Sequence, residues 1–370
     1  MKNEDKKTRF DFSIVEPRAA FVPKPIEKKN SSTAKYVSYG EDNLYPNYLL
    51  SCYEDCAVLQ SVINGLSDYV SGSGFANGNE KLVVNEKGMT LVELVKKVTV
   101  DYIIFGAFSI GVRRDKDGII RYLDYHDPRK IRLSEDENKA YYCQDWERST
   151  KKVMCIDTYQ KNPGAGRTEY YVKTPISRGI YGRPAWAGAI KDVQTSIEIS
   201  TFHLSAILNN FAPSAIVNFN NGQPEEEQQK KIEKKLNEKF SGTKNAARLL
   251  VCFNETKEHA TDIQRLSEDN FDQRYGALAK SVKENIFISF RAQPQLFGAD
   301  PERTGFNSIE YEQSFSLYKE TVVKPIQQQI EGAFAKISDE FRFTLNEFNV
   351  NFAGDKSTEN EEKVGGGDNT

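Results

Sequence analysis

One spacing limits what this chain can fold into. Two stretches of long helical periodicity, near 269–291 and 308–337, are separated by AQPQLFGADPERTGFNS at 292–308. Those 17 residues hold Pro294, Pro301, Gly298 and Gly305, the acidic Asp300 and Glu302, and Arg303. Helices that pack directly on one another need only a short turn. Irregular segments beyond about 12–15 residues are uncommon in compact domains and are usually functional or disordered. Phe297 and Phe306 argue against full disorder, because each is expected to anchor one end of the segment.

The rest of the chain bounds the choice. A length of 370 residues corresponds to roughly two or three units of about 150 residues. With 38% hydrophobic and 28% charged residues, a sizeable core is expected. The formal net charge is -3, without the basic surplus of proteins that clamp nucleic acid by neutralising phosphates. The N-terminus is charged from its second residue and has no secretory pattern. The longest uncharged apolar run, 102–112, falls well short of the ~20 residues that span a bilayer, so a soluble chain is expected. Cys52, Cys56, Cys143, Cys155 and Cys252 are odd in number, scattered and without a CxxC pair. They suit a reducing, intracellular setting, with Cys52 and Cys56 as half-buried thiols.

Periodicity places the elements. Residues 1–35 are basic and proline-containing and read as an arm. Val58, Leu59, Val62, Ile63, Leu66 and Tyr69 repeat at helical spacing, and SGSGF at 71–75 ends that helix. Thr90 with Glu93 predicts a capping box opening a second helix. From about 106 to 175 the period changes to strands, with DKDG at 115–118 as a hairpin turn. A long helix follows YGRPAWAG, with Ile190, Val193, Ile197, Leu204, Ile207 and Phe211 on one stripe. Residues 212–267 read as a small α/β module: strand, a charged helix with Ile232, Leu236 and Phe240 as its only apolar stripe, strand. The helix beyond it carries Phe271, Tyr275, Leu278, Val282 and Ile286, and the last long helix runs from about Ser308 to Ile337, with its apolar positions from Tyr311 to Phe334. Pro325 inside that last helix predicts a kink. FRFTLNEFNVNF alternates like a strand, and 351–370 is an acidic, glycine-rich tail expected to be disordered.

Catalytic signatures are missing: there is no GxxxxGK[ST], HExxH or GxSxG. DKDG lacks the later ligand positions of a calcium loop. His203 sits in a long helix where packing or a simple hydrogen bond is the expected role. His126 with Asp127 is a conceivable general base, but no nucleophile or metal set lies near it in sequence. No cofactor and no catalytic activity are expected. An enzyme assembled from distant acidic residues, such as a metal-dependent nuclease, stays open as an alternative.

Five motifs in one order carry a resemblance. They are Tyr39-Gly40-Glu41-Asp42-Asn43-Leu44-Tyr45-Pro46, then Phe105-Gly106-Ala107-Phe108, then RRDKDGIIRYLDYHDPRKIRL, then Tyr181-Gly182-Arg183-Pro184, and finally FDQRYGALAKSVKENIFISFRAQPQLFG with its Pro-x-Leu-Phe-Gly. Together with the order long helix, α/β insert, long helix, loop, kinked helix, they make residues 36–350 resemble the HK97-type portal proteins of tailed bacteriophages. The fold class that this implies is α+β: a wing at 36–186, stem helices at 187–211 and 268–291, and a clip at 212–267. A tunnel loop at 292–308, a kinked helix with wing completion at 309–350, and a crown reduced or absent complete it.

The resemblance also implies a ring, usually of twelve copies, at one capsid vertex of a virion assembled in the bacterial cytoplasm. Double-stranded DNA would pass through it in both directions, without sequence reading. The expected partners are further copies of the chain, the large terminase, a head-completion or adaptor protein and the major capsid protein, with no membrane. Gln293, Asp300, Glu302 and Arg303 in the loop, with Lys280 and Lys283 on the second stem helix, are the expected tunnel lining. Glu225, Glu226, Lys230, Lys231, Lys234 and Lys235 are the expected terminase-docking face of the clip. For the stem and clip lysines, an ordinary solvated helix face is the alternative. A portal-like protein of a gene-transfer or defective prophage particle is a further alternative of the same fold.

Overall fold

The computed structural model describes residues 22–29, 35–148, 152–160, 165–208, 215–219, 224, 227–232, 234, 249–253, 271–298 and 308–348. Three helices form the first layer: α1 (Tyr45–Asp55), α2 (Ala57–Ser71) and α3 (Leu91–Phe105). Their inward faces are mainly apolar, with Leu49, Leu59, Val62, Ile63, Leu91, Leu94 and Val98 all buried. The Thr90–Glu93 capping box opens α3: the Thr90 amide donates to Glu93 Oε2 at 2.8 Å, and the Glu93 amide donates to Thr90 Oγ1 at 3.4 Å. Helix α1 is not evident from periodicity. Cys56, lying between α1 and α2, is buried like Cys52, so these thiols belong to the core and are not half exposed.

A mixed six-stranded sheet packs on α3. Two short strands, β1 (Glu27–Lys29) and β2 (Val37–Tyr39), pair separately. The sheet itself is built from β3 (Ala107–Arg114), β4 (Ile120–His126), β5 (Ile131–Leu133), β6 (Lys139–Tyr142), β7 (Met154–Thr158) and β8 (Gly166–Lys173). Their spatial order is β4-β3-β8-β7-β6-β5, antiparallel throughout except β7 with β8. DKDG makes the β3–β4 hairpin, where Gly118 takes a left-handed φ of 77°.

Two long helices leave this body, α4 (Ile190–Leu208) and α5 (Phe271–Ser289). Between them β9 (Ala215–Phe219) pairs in parallel with β10 (Leu249–Phe253), and residues 227–232 are helical. Parallel pairing of consecutive strands demands a crossover, which accounts for a helix there. The chain returns through α6 (Ser308–Tyr318), a π-helical stretch at Lys319–Val323, and α7 (Lys324–Ile337). Pro325 enters in the first turn of α7, where a missing amide costs least. Among the described residues, the segment expected as a final strand forms no ladder. Phe341, Phe343 and Leu345 are buried in alternation, but only one bridge forms, Leu345 to Phe75. Packing of Phe343 on Phe75 and Phe334, at 4.5 and 5.2 Å between rings, replaces strand pairing there.

The sequence motifs meet at one place, the root of α4. Gly106, with φ of 68°, caps α3. A Cβ on it would lie 2.1 Å from the Arg183 carbonyl, and a Cβ on Gly182 would lie 2.3 Å from the Gly106 oxygen. Around this backbone contact the Tyr39 and Tyr181 rings stack at 4.4 Å, and the Tyr39 hydroxyl donates to the Gly182 carbonyl at 2.5 Å. Trp186 donates to the Ile103 carbonyl at 3.2 Å. Glu27 accepts from the Ile180 and Tyr181 amides. Beneath lies Arg132, fully buried and, among the described residues, without a carboxylate at hydrogen-bond distance. It donates to Asn43 Oδ1 at 2.6 Å and to the Arg129 and Ile131 carbonyls, and it lies 5.0 Å from the Trp146 ring. Asn43 reaches it by adopting φ of 65°. Oriented dipoles thus replace a counter-ion for a buried cation.

His126 answers the question its motif raised. Its Nδ1 lies 2.6 Å from Glu169 Oε2, not against Asp127, which pairs instead with Arg129. Glu169 is fully buried and also accepts from Ser109, so it stands between histidine and serine. The base at the Ser109 hydroxyl is thus the Glu169 carboxylate and not the histidine, and with Ser109 and Glu169 both fully buried the arrangement is that of a structural set and not of an accessible nucleophile.

Two tests follow from these contacts. Gly106→Ala meets both a backbone clash and an unfavourable φ and lowers urea-unfolding stability by about 3 kcal/mol. Gly88→Ala, with φ of 79° but nothing within 4 Å, costs about 1 kcal/mol. For His126, burial lowers the pKa, but the hydrogen bond and charge of Glu169, helped by Asp124 and opposed by Arg167, leave it raised above 6.5. The charged pair thus stabilises fully below 6.5 and is lost as pH rises through the higher folded value. Urea midpoints of the native chain fall over that rise, and His126→Gln removes this part of the dependence.

Candidate functional site

The irregular segment is anchored before it departs. Arg291, a non-glycine residue at φ of 53°, turns the chain away from α5. A single 3₁₀ turn, Pro294–Phe297, follows, and Gly298 at φ of 66° closes it. Leu296 is buried, and Phe297 lies against the one helical face that admits it. Gly65 of α2 supplies that face: a Cβ there would come within 2.6 Å of the Phe297 ring. The Phe297 ring is also 5.7 Å from Tyr69, 5.9 Å from Phe287 and 5.8 Å from Tyr318. On the far side, α6 brings Phe315 to 5.2 Å from Tyr69. Gln295 Nε2 donates to Ser314 Oγ at 3.1 Å, tying the two limbs directly.

Of the residues expected to line a tunnel, Gln293 is exposed at the root and accepts from Gln295 at 2.8 Å. Asp300, Glu302 and Arg303, like Phe306, lie outside the described residues. Lys280 is exposed on α5, and Lys283 is half-buried one turn closer to the body. Lys230, Lys231 and Lys234 are exposed beside the crossover helix, whereas Glu225, Glu226 and Lys235 lie outside the described residues.

Helices α4 and α5 run antiparallel. Asn285 donates to Asp192 at 2.8 Å near their base, and Phe202 stacks on Tyr275 at 5.1 Å near their tip. His203 joins this stack edge-on, 6.0 Å from the Tyr275 ring, so it packs as expected. At the base, Val193, Val282, Ile286, Phe287 and Phe290 are buried. Towards the tip the same apolar stripe emerges from cover: Leu204 is 58% exposed, Ile207 60% and Leu278 44%. Phe211 lies outside the described residues. A two-helix projection has too little surface to bury both its stripes, so these side chains remain on the outside of the single chain.

Among the described residues no group of three or more His, Cys, Asp or Glu side chains could hold a metal ion. Nor is any described helix long and apolar enough to cross a membrane. Sequence reasoning missed Gly65, Tyr69 and Tyr311 as residues of the loop root. The one available signal was a glycine inside the otherwise regular α2.

Comparison with known proteins agrees with this architecture. An uncharacterized protein of Rickettsia bellii is 27% identical over 169 residues, which is 45% of this chain and 41% of that relative, so less than half of the relative's length is spanned. Among solved structures, a chain in the virion of a native gene transfer agent particle superposes with a TM-score of 0.53 at 14% identity, covering 80% of this chain and 83% of its own. A chain in the neck of the native particle, determined with C12 symmetry, gives 0.50 at 14% identity, covering 80% and 82%. These likenesses establish a shared mixed α and β fold. Residues 83–364 match the phage portal protein family, a span covering the sheet, both long helices, the insert between them and the loop root. The chain belongs to the phage portal protein family.

Proposed function

We propose that this chain is an HK97-type portal subunit that closes with further copies into a ring at one capsid vertex, the conduit for double-stranded DNA during packaging and ejection. The observation that carries the reading is the family match over residues 83–364 combined with the order of elements within it. In this reading the body of α1–α3 and the six-stranded sheet is the wing, α4 and α5 are the stem, and the β9–β10 unit is the clip. Residues 292–308 form the tunnel loop, and α6–α7 with the π stretch and Pro325 is the kinked helix behind it.

Charge supports the role. A conduit must let DNA slide, and each phosphate neutralised by Lys or Arg adds counterion release that would hold the duplex in place. A chain with a net charge of -3, offering Gln293, Asp300, Glu302 and Arg303 in the loop and Lys280 and Lys283 on the stem, supplies a mixed lining. The clip face, with Glu225, Glu226, Lys230, Lys231, Lys234 and Lys235, serves as the docking surface for the large terminase and later for a head-completion protein, steered by its alternating charge. The major capsid protein meets the wing. No catalytic step and no cofactor are assigned to this chain, and ATP hydrolysis belongs to the terminase. A gene-transfer particle would use the same ring. A flanking large terminase gene and major capsid gene in an intact phage genome separates the two cases.

Negative-stain microscopy of the purified chain tests the reading, and closed rings with a central hole are expected. Small monomers with metal-dependent nuclease activity would remove it. Rings should also bind duplex DNA with little salt dependence, losing at most about tenfold in affinity between 50 and 200 mM salt. A loss of about a thousandfold would mark a phosphate clamp instead of a sliding conduit.

A further inference from the structure

Both limbs of the loop at 292–308 converge on one side chain of the wing. Tyr69, on α2, is buried and donates its hydroxyl hydrogen to the Leu296 carbonyl, in the 3₁₀ turn that leads into the loop. The same hydroxyl is hydrogen-bonded to that of Tyr311, on α6, which leads out of it. A carbonyl only accepts, so the Tyr69 hydroxyl hydrogen points at Leu296, with the Tyr311 hydroxyl beside the same oxygen. The ring below the hydroxyl repeats the bridge in apolar form, edge-on to Phe297 at 5.7 Å on one limb and to Phe315 at 5.2 Å on the other. Phe348 lies edge-on at 5.3 Å.

We infer that Tyr69 is a positioning residue for the loop: one phenol holds the entering and leaving limbs at a fixed separation and so sets where the loop departs from the body. Three features make it a clamp and not general core packing. Gly65, one helical turn earlier on α2, leaves the hollow that seats Phe297, and any side chain there would displace the ring. The Gln295–Ser314 hydrogen bond spans the same two limbs, so the separation is held at two levels. Finally, one side of the cluster opens on a cavity of about 330 Å³ bounded by Gly65, Asp68, Tyr69, Gly72, Lys96 and Phe348. Packing from that side does not hold the limbs together, which leaves the task to the hydroxyl bridge and the rings. The inference deepens the conduit reading, because under it Tyr69 fixes how far the loop reaches toward a shared axis.

Tyr69→Phe keeps the ring and deletes the oxygen that both limbs share. Amide hydrogen exchange on the full chain reads the result by segment. In Tyr69→Phe, peptides covering 294–298 and 308–318 exchange about fivefold faster than in the native chain, the size expected for losing a buried hydrogen bond. Peptides covering β3 and β8 stay unchanged. Gly65→Ala, which displaces Phe297 while leaving the phenol in place, loosens the 294–298 peptide in the same way. Native exchange at both limbs in Tyr69→Phe, or faster exchange spread evenly over the whole chain, overturns the clamp. DNA packaging by particles carrying Tyr69→Phe separates this inference from the reading beneath it. Loosened limbs with unaltered packaging leave the clamp standing and withdraw the loop from the conduit.

Discussion

The backbone contact between Gly106 and Gly182 is the constraint on which the rest of the structure depends. The Cβ of any side chain at either position would overlap main-chain atoms of the other segment. The end of α3 and the approach to α4 are thus joined main chain to main chain, with no side chain that could flex between them. Arg132 lies below as a buried cation held by Asn43 and backbone carbonyls, and Tyr39 and Tyr181 lie alongside as a stacked pair. Removing one partner from such a set strands a polar group in a low dielectric, which is why buried networks of this kind resist partial change. The direction in which α4 leaves the body is decided here.

From that joint outward, cover decreases. The base of the helix pair shares the body's core through Val193, Val282, Ile286 and Phe287, while towards the tip Phe202 and His203 of one helix meet Tyr275 of the other. Leu204, Ile207 and Leu278 continue that apolar stripe as exposed side chains. On the ring reading, that gradient has a physical sense. Subunits in a cyclic assembly meet through two unlike surfaces, and a projecting helix pair offers two different faces to its neighbours. The loop root obeys the opposite rule, with both limbs gathered on α2.

Much of the fold was legible because it rests on local signals. Helical period placed α2 and the long helices to within a few residues, and the Thr90–Glu93 box and the DKDG turn sit where their chemistry predicted. Failures came where distant residues decide. Helix α1 packs Tyr45 and Leu49 into the core, but its short amphipathic pattern is interrupted at Cys56. The alternation of Phe341, Phe343 and Leu345 suggests a strand and does bury one face, yet ring packing takes the place of a strand partner. Sequence proximity suggests Asp127 as the partner of His126, whereas its partner lies 43 residues away on β8.

The sequence by itself determined the order of the elements, the family and the presence of an irregular segment between two long helices. Periodicity, capping chemistry and turn residues act over a few positions and are written directly into the chain. Tertiary structure alone decided that four of the five separate motifs close on one joint at the root of α4, and that the entering and leaving limbs of the loop share a single phenol. Those contacts join residues up to about 240 positions apart, and their energy depends on distances and angles that no local pattern encodes.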